Sequence, residues 1–438
     1  MTDSKSLHYV FIESLSKSSD PILVWFNGGP GCSSLLGLFQ EHGPFVFDDG
    51  ETVIKPNPFP WNQRANLLYL ESPAGVGFSV ANNTDDLLHS DMSQSEDAFA
   101  ALRQFYQAFP LLRDNDLYIT GESYAGVYAP YLAWQIHEWN LVQNMNQWND
   151  TYNLKGFIIG NGVTDMYLDS DSQMIESLAN WNMIPSSLWD QIVANKCVFN
   201  WDKLDVKVNN APACADLYNQ AMGLIEDLNI YDLYRTQYGN TASSKKSLRL
   251  TEQEREREVV IDGMVKKYKL GRTMNEMTPF RKSLLTQDDK QVILGDDLSG
   301  YLNRADVRAA LNIPTWVQGY SECNNPMYGT YQAFREGSIW IYHILKGYTD
   351  SYRLLHYSGD TDGAVATLGT RRWIAQQGWP VTKEWRTWTT NGDLSGYLED
   401  YGTFTFATIH GVGHMAPQWK RQDVTELISK YVHNETIN

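Results

Sequence analysis

No stretch of this 438-residue sequence approaches the roughly 20 apolar residues that a bilayer-spanning helix needs. The opening Met-Thr-Asp-Ser-Lys-Ser also lacks the apolar core of a secretory signal. Taken alone, these two gaps predict a soluble cytosolic protein. Cysteine is scarce: Cys32, Cys197, Cys214 and Cys323 contain no C-x-x-C pair, which argues against zinc ribbons and thioredoxin-like redox motifs. Two disulfides are possible, and spacing does not choose among the pairings. Positive charge is in deficit, with 35 Lys and Arg against 52 Asp and Glu for a formal net charge of −17. Nucleic acid and anionic membranes are thereby disfavoured as partners, because both would be repelled. Such a surface stays soluble and suits an acidic compartment.

Aromatics, by contrast, are plentiful: 15 Trp and 25 Tyr exceed what packing alone demands and suit an aromatic-lined cleft. The length admits two or three domains, or one α/β fold with insertions. Pro21 to Phe26 is a short apolar run ending in Asn27-Gly-Gly-Pro-Gly31, the pattern of a buried strand followed by a tight loop. Leu67 to Leu70, Leu117 to Thr120 and Phe157 to Ile159 read as further buried strands. Between them, Ser93-Gln-Ser-Glu96 has capping-box spacing, and Ala98, Leu102, Phe105 and Phe109 recur on one helical face until Pro110. Alternation of this kind favours a mainly parallel sheet covered by helices on both faces. Leu7 to Ile12 also reads as strand with little sequence before it, so the expectation is that an N-terminal segment, and with it any signal peptide, precedes this chain.

The rhythm breaks between Ser177 and Gly300, and 243–289 is dense in Lys, Arg, Glu and Asp. We expect an inserted helical cap over 177–300, carrying an exposed charged excursion that reads as solvated helix or loop. The core then comprises 1–176 and 301–438. Arg353 to Tyr357 and Phe404 to Ile409 are late strands of the same sheet.

Gly121-Glu-Ser123-Tyr-Ala-Gly126 follows one predicted strand and precedes a helical pattern of Ala129, Leu132, Ala133 and Ile136. That is the setting of a nucleophile elbow in an α/β-hydrolase, although Ala125 stands where G-x-S-x-G has its last glycine. A serine hydroxyl needs a histidine base and an acid to orient it, in the order Ser, Asp, His on this fold. Tyr357-Ser-Gly-Asp-Thr-Asp362 and Ile409-His-Gly-Val-Gly-His414 both follow strands, so both fall at strand C-terminal ends where α/β active sites form. Asp360 competes with Asp362 as the acid, and Asp362 is preferred because it lies farther into its loop. His410 and His414 have metal-pair spacing, but Gly411 and Gly413 disfavour the helix such a pair requires. Amides of the Gly28-Gly29 step and of Tyr124 could stabilise an oxyanion.

Trp25-Phe-Asn-Gly-Gly-Pro-Gly-Cys-Ser-Ser-Leu35, Glu71-Ser-Pro-Ala-Gly-Val-Gly-Phe-Ser79, Gly121 to Tyr128, the Asp362 loop and His414-Met-Ala-Pro417 resemble the serine carboxypeptidase family, in its order. Weaker echoes lie in Gly160-Asn-Gly162, Asn229-Ile-Tyr-Asp232 and Tyr301-Leu-Asn-Arg304, so the likeness spans nearly the whole chain. The resemblance implies a cofactor-independent, metal-free exopeptidase acting on peptide or protein C-termini, with Ser123, Asp362 and His414 as triad. It assigns the oxyanion hole to the amides of Gly29 and Tyr124, and the grip on the substrate carboxylate to Asn27, Glu41, Glu122 and the Gly28 amide. It also implies a Cys32–Cys323 disulfide; the short separation of Cys197 and Cys214 suggests the second. Disulfides, with N-x-Thr sequons at Asn82, Asn149 and Asn434, point to a secretory-pathway protein, lysosomal, vacuolar or extracellular. The family normally carries a further N-terminal segment with its first strands, so an opened sheet edge is expected here. Alternatives are an acyltransferase on the same scaffold, disfavoured by Asn27, Glu41 and Glu122, and a non-catalytic protective partner, disfavoured by the intact Ser, Asp and His set.

Overall fold

The computed structural model describes residues 4–48, 53–199, 212–235, 256–261, 264–269, 296–334, 336–348 and 351–438. Its centre is a nine-stranded sheet. In chain order the strands are β1 (Tyr9–Ile12), β2 (Ile22–Phe26), β3 (Asn66–Leu70), β4 (Leu117–Glu122), β5 (Leu154–Gly160), β6 (Arg353–Gly359), β7 (Lys383–Thr390), β8 (Asp393–Tyr401) and β9 (Phe404–Ile409). Across the sheet they run β7-β8-β9-β6-β5-β4-β2-β3-β1. The pairings from β3 through β2, β4, β5 and β6 to β9 are parallel, while β1 at one edge and β7–β8 at the other are antiparallel.

The apolar runs give continuous strands because both faces are covered. Ile22, Val24 and Phe26 enter one cluster beneath α1 (Asp91–Ala108) and α2 (Ala125–Met145). Leu23 and Trp25, pointing the opposite way, join Val424, Leu427 and Ile428 of the C-terminal helix. All five β2 side chains are buried, each stabilising by about 1.5–3 kcal/mol relative to exposure, so a strand here needs no polar alternation.

The helix predicted to start near Ser93 starts earlier. Ser90 is its N-cap, and Ser93, not Glu96, closes the capping box: Ser93 N donates to Ser90 Oγ at 3.2 Å and Ser90 N to Ser93 Oγ at 2.9 Å. Ala98, Leu102 and Phe105 are buried as expected, whereas Phe109 lies past the helix end and is exposed. The strand read from Leu7 begins at Tyr9, and β1 lies at the sheet edge, bonded to β3 alone.

Helices Asp171–Asn180, Ser186–Ala194 and Pro212–Leu224 form a third apolar cluster with Ile230 and Leu233, crosslinked by Cys197–Cys214. Cys32–Cys323 ties the loop after β2 to the segment after helix Ala305–Ala310. Most of 243–289 lies outside the described residues. The solvated helix or loop expected there is, over Glu256–Ile261 and Met264–Lys269, an antiparallel ribbon, consistent with the β-branched Val259, Val260 and Ile261.

Candidate active site

The chain reverses its direction of travel across the sheet between β2, β3 and β4, and ligands of open α/β sheets bind beyond the strand C-termini at such a point. Register brings the sequence motifs together there. Phe26 pairs with Gly121 and Glu122 with Gly160, so Asn27, Ser123 and Asn161 emerge side by side. The loops after β6 and β9 carry Asp362 and His414 to the same rim.

Ser123 has φ +62°, a left-handed conformation that is costly for a residue with a Cβ and is the strained geometry of a nucleophile elbow. Its amide donates to Gly160 O at 3.1 Å and its carbonyl accepts from Val163 N at 2.9 Å, which fixes the turn between β4 and α2. Ser123 is half-buried within an otherwise buried stretch. Gly28 lies against it so closely that a methyl there would meet Tyr124 N at 2.3 Å and Ser123 Cβ at 2.6 Å. Among the described residues, no backbone carbonyl of the turns and loops accepts from the Gly29 or Tyr124 amide, and both stand beside the serine. Such amides can take up negative charge on a reacting oxygen.

Asp362 and His414 are buried and joined, with His414 Nδ1 2.7 Å from Asp362 Oδ2. Asn161 Nδ2 donates to the same oxygen at 2.9 Å, and the amides of Ala364 and Val365 donate to Oδ1. A carboxylate held in this way keeps a proton on Nδ1 and leaves Nε2 free to act as base. Asp360 instead pairs with exposed His410 at 2.9 Å, so the two acids of the loop have separate partners. His410 and His414 share no helix, and among the described residues no His, Cys, Asp and Glu cluster could hold a metal ion. Among the described residues, no hydrogen bond links Ser123 Oγ with His414; catalytic contacts of this kind commonly tighten only in the complex with substrate.

Beside the elbow, Asn27 is clamped by Trp25 Nε1 and Gly37 N, which donate to its Oδ1 at 2.8 and 2.9 Å. Its amide group must therefore face the other way, where it donates to Glu41 Oε1 at 3.0 Å and Glu122 Oε1 at 3.1 Å. Glu41 ends a π-helical turn, Gly37–Glu41, pinned from outside by Arg421, which donates to the Gln40 and Glu41 carbonyls. Burial pushes Glu41 up to about 7, with the Asn27 hydrogen bond opposing. Burial pushes Glu122 well above the usual carboxylate range, and the charge on Glu41 adds to it. Oε2 of each is buried and receives no hydrogen bond from the described residues. Two such carboxyls side by side favour holding a proton between them.

Asn161 was missed as a site residue, although the Gly160-Asn-Gly162 echo marked its position. Its φ of +44° suits asparagine, and its Oδ1 accepts from Gly359 N at 3.0 Å, so its amide cannot flip away from Asp362.

A parallel sheet with helices on both faces, an elbow serine and a buried Asp–His pair at the strand ends define an α/β-hydrolase. Comparison narrows the class: the serine carboxypeptidase family profile matches residues 1–434, and the chain belongs to that family. It is 31% identical to serine carboxypeptidase-like 20 of Arabidopsis thaliana, over 99% of this chain and 88% of the relative. It is 30% identical to the lysosomal protective protein of Mus musculus, over 99% and 89%. A solved prohormone-processing carboxypeptidase from Saccharomyces cerevisiae shares the fold with a TM-score of 0.68 at 20% identity, over 99% of this chain and 88% of that one.

Proposed function

We propose that this protein is a serine-type carboxypeptidase that removes C-terminal residues from peptides through an acyl-enzyme. Ser123 Oγ attacks the last peptide carbonyl while His414 Nε2 takes its proton, and the Gly29 and Tyr124 amides hold the oxyanion. His414 then protonates the departing amino group, and the C-terminal residue leaves. Water, deprotonated by His414, attacks the Ser123 ester and releases the shortened peptide.

The observation that carries the reading is the buried carboxyl pair placed one residue from the nucleophile. Glu122 immediately precedes Ser123, and Asn27 holds Glu122 and Glu41 together. A protonated carboxyl pair with an asparagine amide and the Gly28 amide offers donors to a terminal carboxylate; an ionised pair would repel it. The pair thus selects the last residue of a chain. We read 177–300 as an inserted cap between core segments 1–176 and 301–438, in keeping with its separate apolar cluster. We also assign the protein to the secretory pathway, lysosomal, vacuolar or extracellular, a reading that two disulfides support.

The test compares a peptide with its C-terminal amide across pH 4 to 8, with fluorophosphonate labelling of Ser123. Labelling of Ser123 and a KM that climbs with pH for the free acid only are expected. Parallel KM profiles for the two substrates would remove the basis of the exopeptidase reading.

A further inference from the structure

We infer that Asn229–Leu233 is a positioning clip, which ties the Asp362 loop and the His414 loop to each other and to the third apolar cluster. The inference rests on the catalytic roles given above to Asp362 and His414. The two loops touch directly at their bases, where Asp360 N donates to Ile409 O and Thr361 N to Val412 O, both at 3.0 Å. Farther out, Asn229–Leu233 lies between them. Towards the acid loop, Gly363 N donates to Ile230 O at 2.9 Å, Leu233 N donates to Thr361 O at 3.1 Å, and Thr361 Oγ1 donates to Asp232 Oδ1 at 2.8 Å. Towards the base loop, His414 N donates to Tyr231 O at 2.6 Å, and the Tyr231 ring meets the imidazole edge-on at 5.1 Å.

The bonds on either side of the catalytic pair therefore converge on five consecutive residues. Gly413 shows how closely the clip is seated: a Cβ there would lie 1.9 Å from Tyr231 O and 2.6 Å from Asp232 Cα. The clip is shaped by its own turn, with Asn229 Oδ1 accepting from Tyr231 N at 3.0 Å and Asn229 O from Asp232 N at 3.0 Å. It is anchored from behind by Ile230 and Leu233, buried among Met174, Ile175 and Leu178. Since displacement of a catalytic group by about 1 Å can lower turnover by as much as a hundredfold, loosening the clip is predicted to slow chemistry without altering carboxylate recognition. The carboxyl pair hangs from the Gly37–Glu41 turn and β4 instead.

Asp232 gives a clean test, because Oδ1 accepts from both Thr361 Oγ1 and Tyr234 N while the side chain itself is a positioning group. Asp232→Ala is expected to lower kcat about tenfold on a peptide and on its amide, within the range for a misplaced catalytic group. KM should stay within about twofold, and the rate of fluorophosphonate inactivation should fall in step. Asp232→Asn keeps an acceptor at the same place and should recover most of the rate. Thr361→Val, which deletes one hydroxyl, covers the case in which Asp232→Ala does not fold, and should fall between. A lowered melting temperature with wild-type kcat in Asp232→Ala, or in Thr361→Val if that variant alone folds, would mean the clip serves stability only. Wild type and Ser123→Ala are run alongside: an inert wild type overturns the hydrolase reading, whereas an active wild type matched by Asp232→Ala overturns the clip alone.

Discussion

Removing the Ser123 hydroxyl leaves intact the backbone bonds to Gly160 and Val163 that hold its left-handed turn. Ser123→Ala is therefore expected to fold, to melt within a few degrees of wild type and to lose both turnover and phosphonate labelling. Retention of more than about one part in a thousand of the rate would exclude Ser123 as nucleophile. For the carboxyl pair the sign runs with proton loss. Below about pH 7 Glu41 and Glu122 are both neutral and can donate; as pH rises through 7 the pair gives up a proton and gains a charge that opposes the substrate carboxylate. KM for free-acid peptides should accordingly climb through that range. Glu41→Gln with Glu122→Gln should flatten the climb, measured as KM against pH, while leaving peptide-amide hydrolysis nearly unchanged.

At the level of elements, the two disulfides close loops of very different length, with sequence separations of 291 for Cys32–Cys323 and 17 for Cys197–Cys214. Chain-entropy arguments give about 5–6 kcal/mol for the first and about 3 for the second. Denaturant unfolding of Cys→Ser pairs should rank them in that order, and the reverse order would show that local packing outweighs loop closure. The parallel strands were legible because burial on both faces leaves unbroken apolar runs, as in Ile22–Phe26 and Phe404–Ile409. The β7–β8 hairpin was not, since Lys383-Glu-Trp-Arg-Thr-Trp mixes charge with aromatics on an exposed edge. Its turn signal, Asn391-Gly392 with both φ positive, was nonetheless present. Ser123, Asp362 and His414 could be proposed from sequence because each follows a recognisable strand, and the fold brings them to one rim. Asn161 and Asp232 make their contacts through hydrogen bonds to residues distant in sequence, Asp362 and Thr361, which no spacing rule reveals.

For the whole molecule, two sets of buried groups pull stability in opposite directions with pH. Burial raises Asp91 to about 6, Glu41 to about 7 and Glu122 further, so the folded state holds these protons more tightly. Their contribution is complete below about pH 4 and is lost as pH climbs through 6 and 7, roughly 3 kcal/mol for Asp91 alone. Burial depresses His42, His89, His137 and His356, the last to about 3. Their contribution is present above about 6.5, where unfolded histidine is neutral, and fades as pH falls. The melting temperature should thus peak between about pH 5 and 6.5 and decline on both sides. Asp91→Asn should flatten the alkaline decline, and a monotonic profile in wild type would show that one set dominates.

The order of strands along the chain also sets a timetable for synthesis. Ser123 and the carboxyl pair leave the ribosome early, but Asp362 and His414, in the loops after β6 and β9, come 239 and 291 residues after the serine. At about 5–20 residues per second, about 15–58 s separate the proposed nucleophile from its proposed base. Until Arg353–Gly359 is made, β5, with buried Phe157 and Ile159, lacks the neighbour that will cover its edge. On the proposed triad the growing chain lacks its base while this edge is open, so chaperone help is expected to matter most before β6 docks.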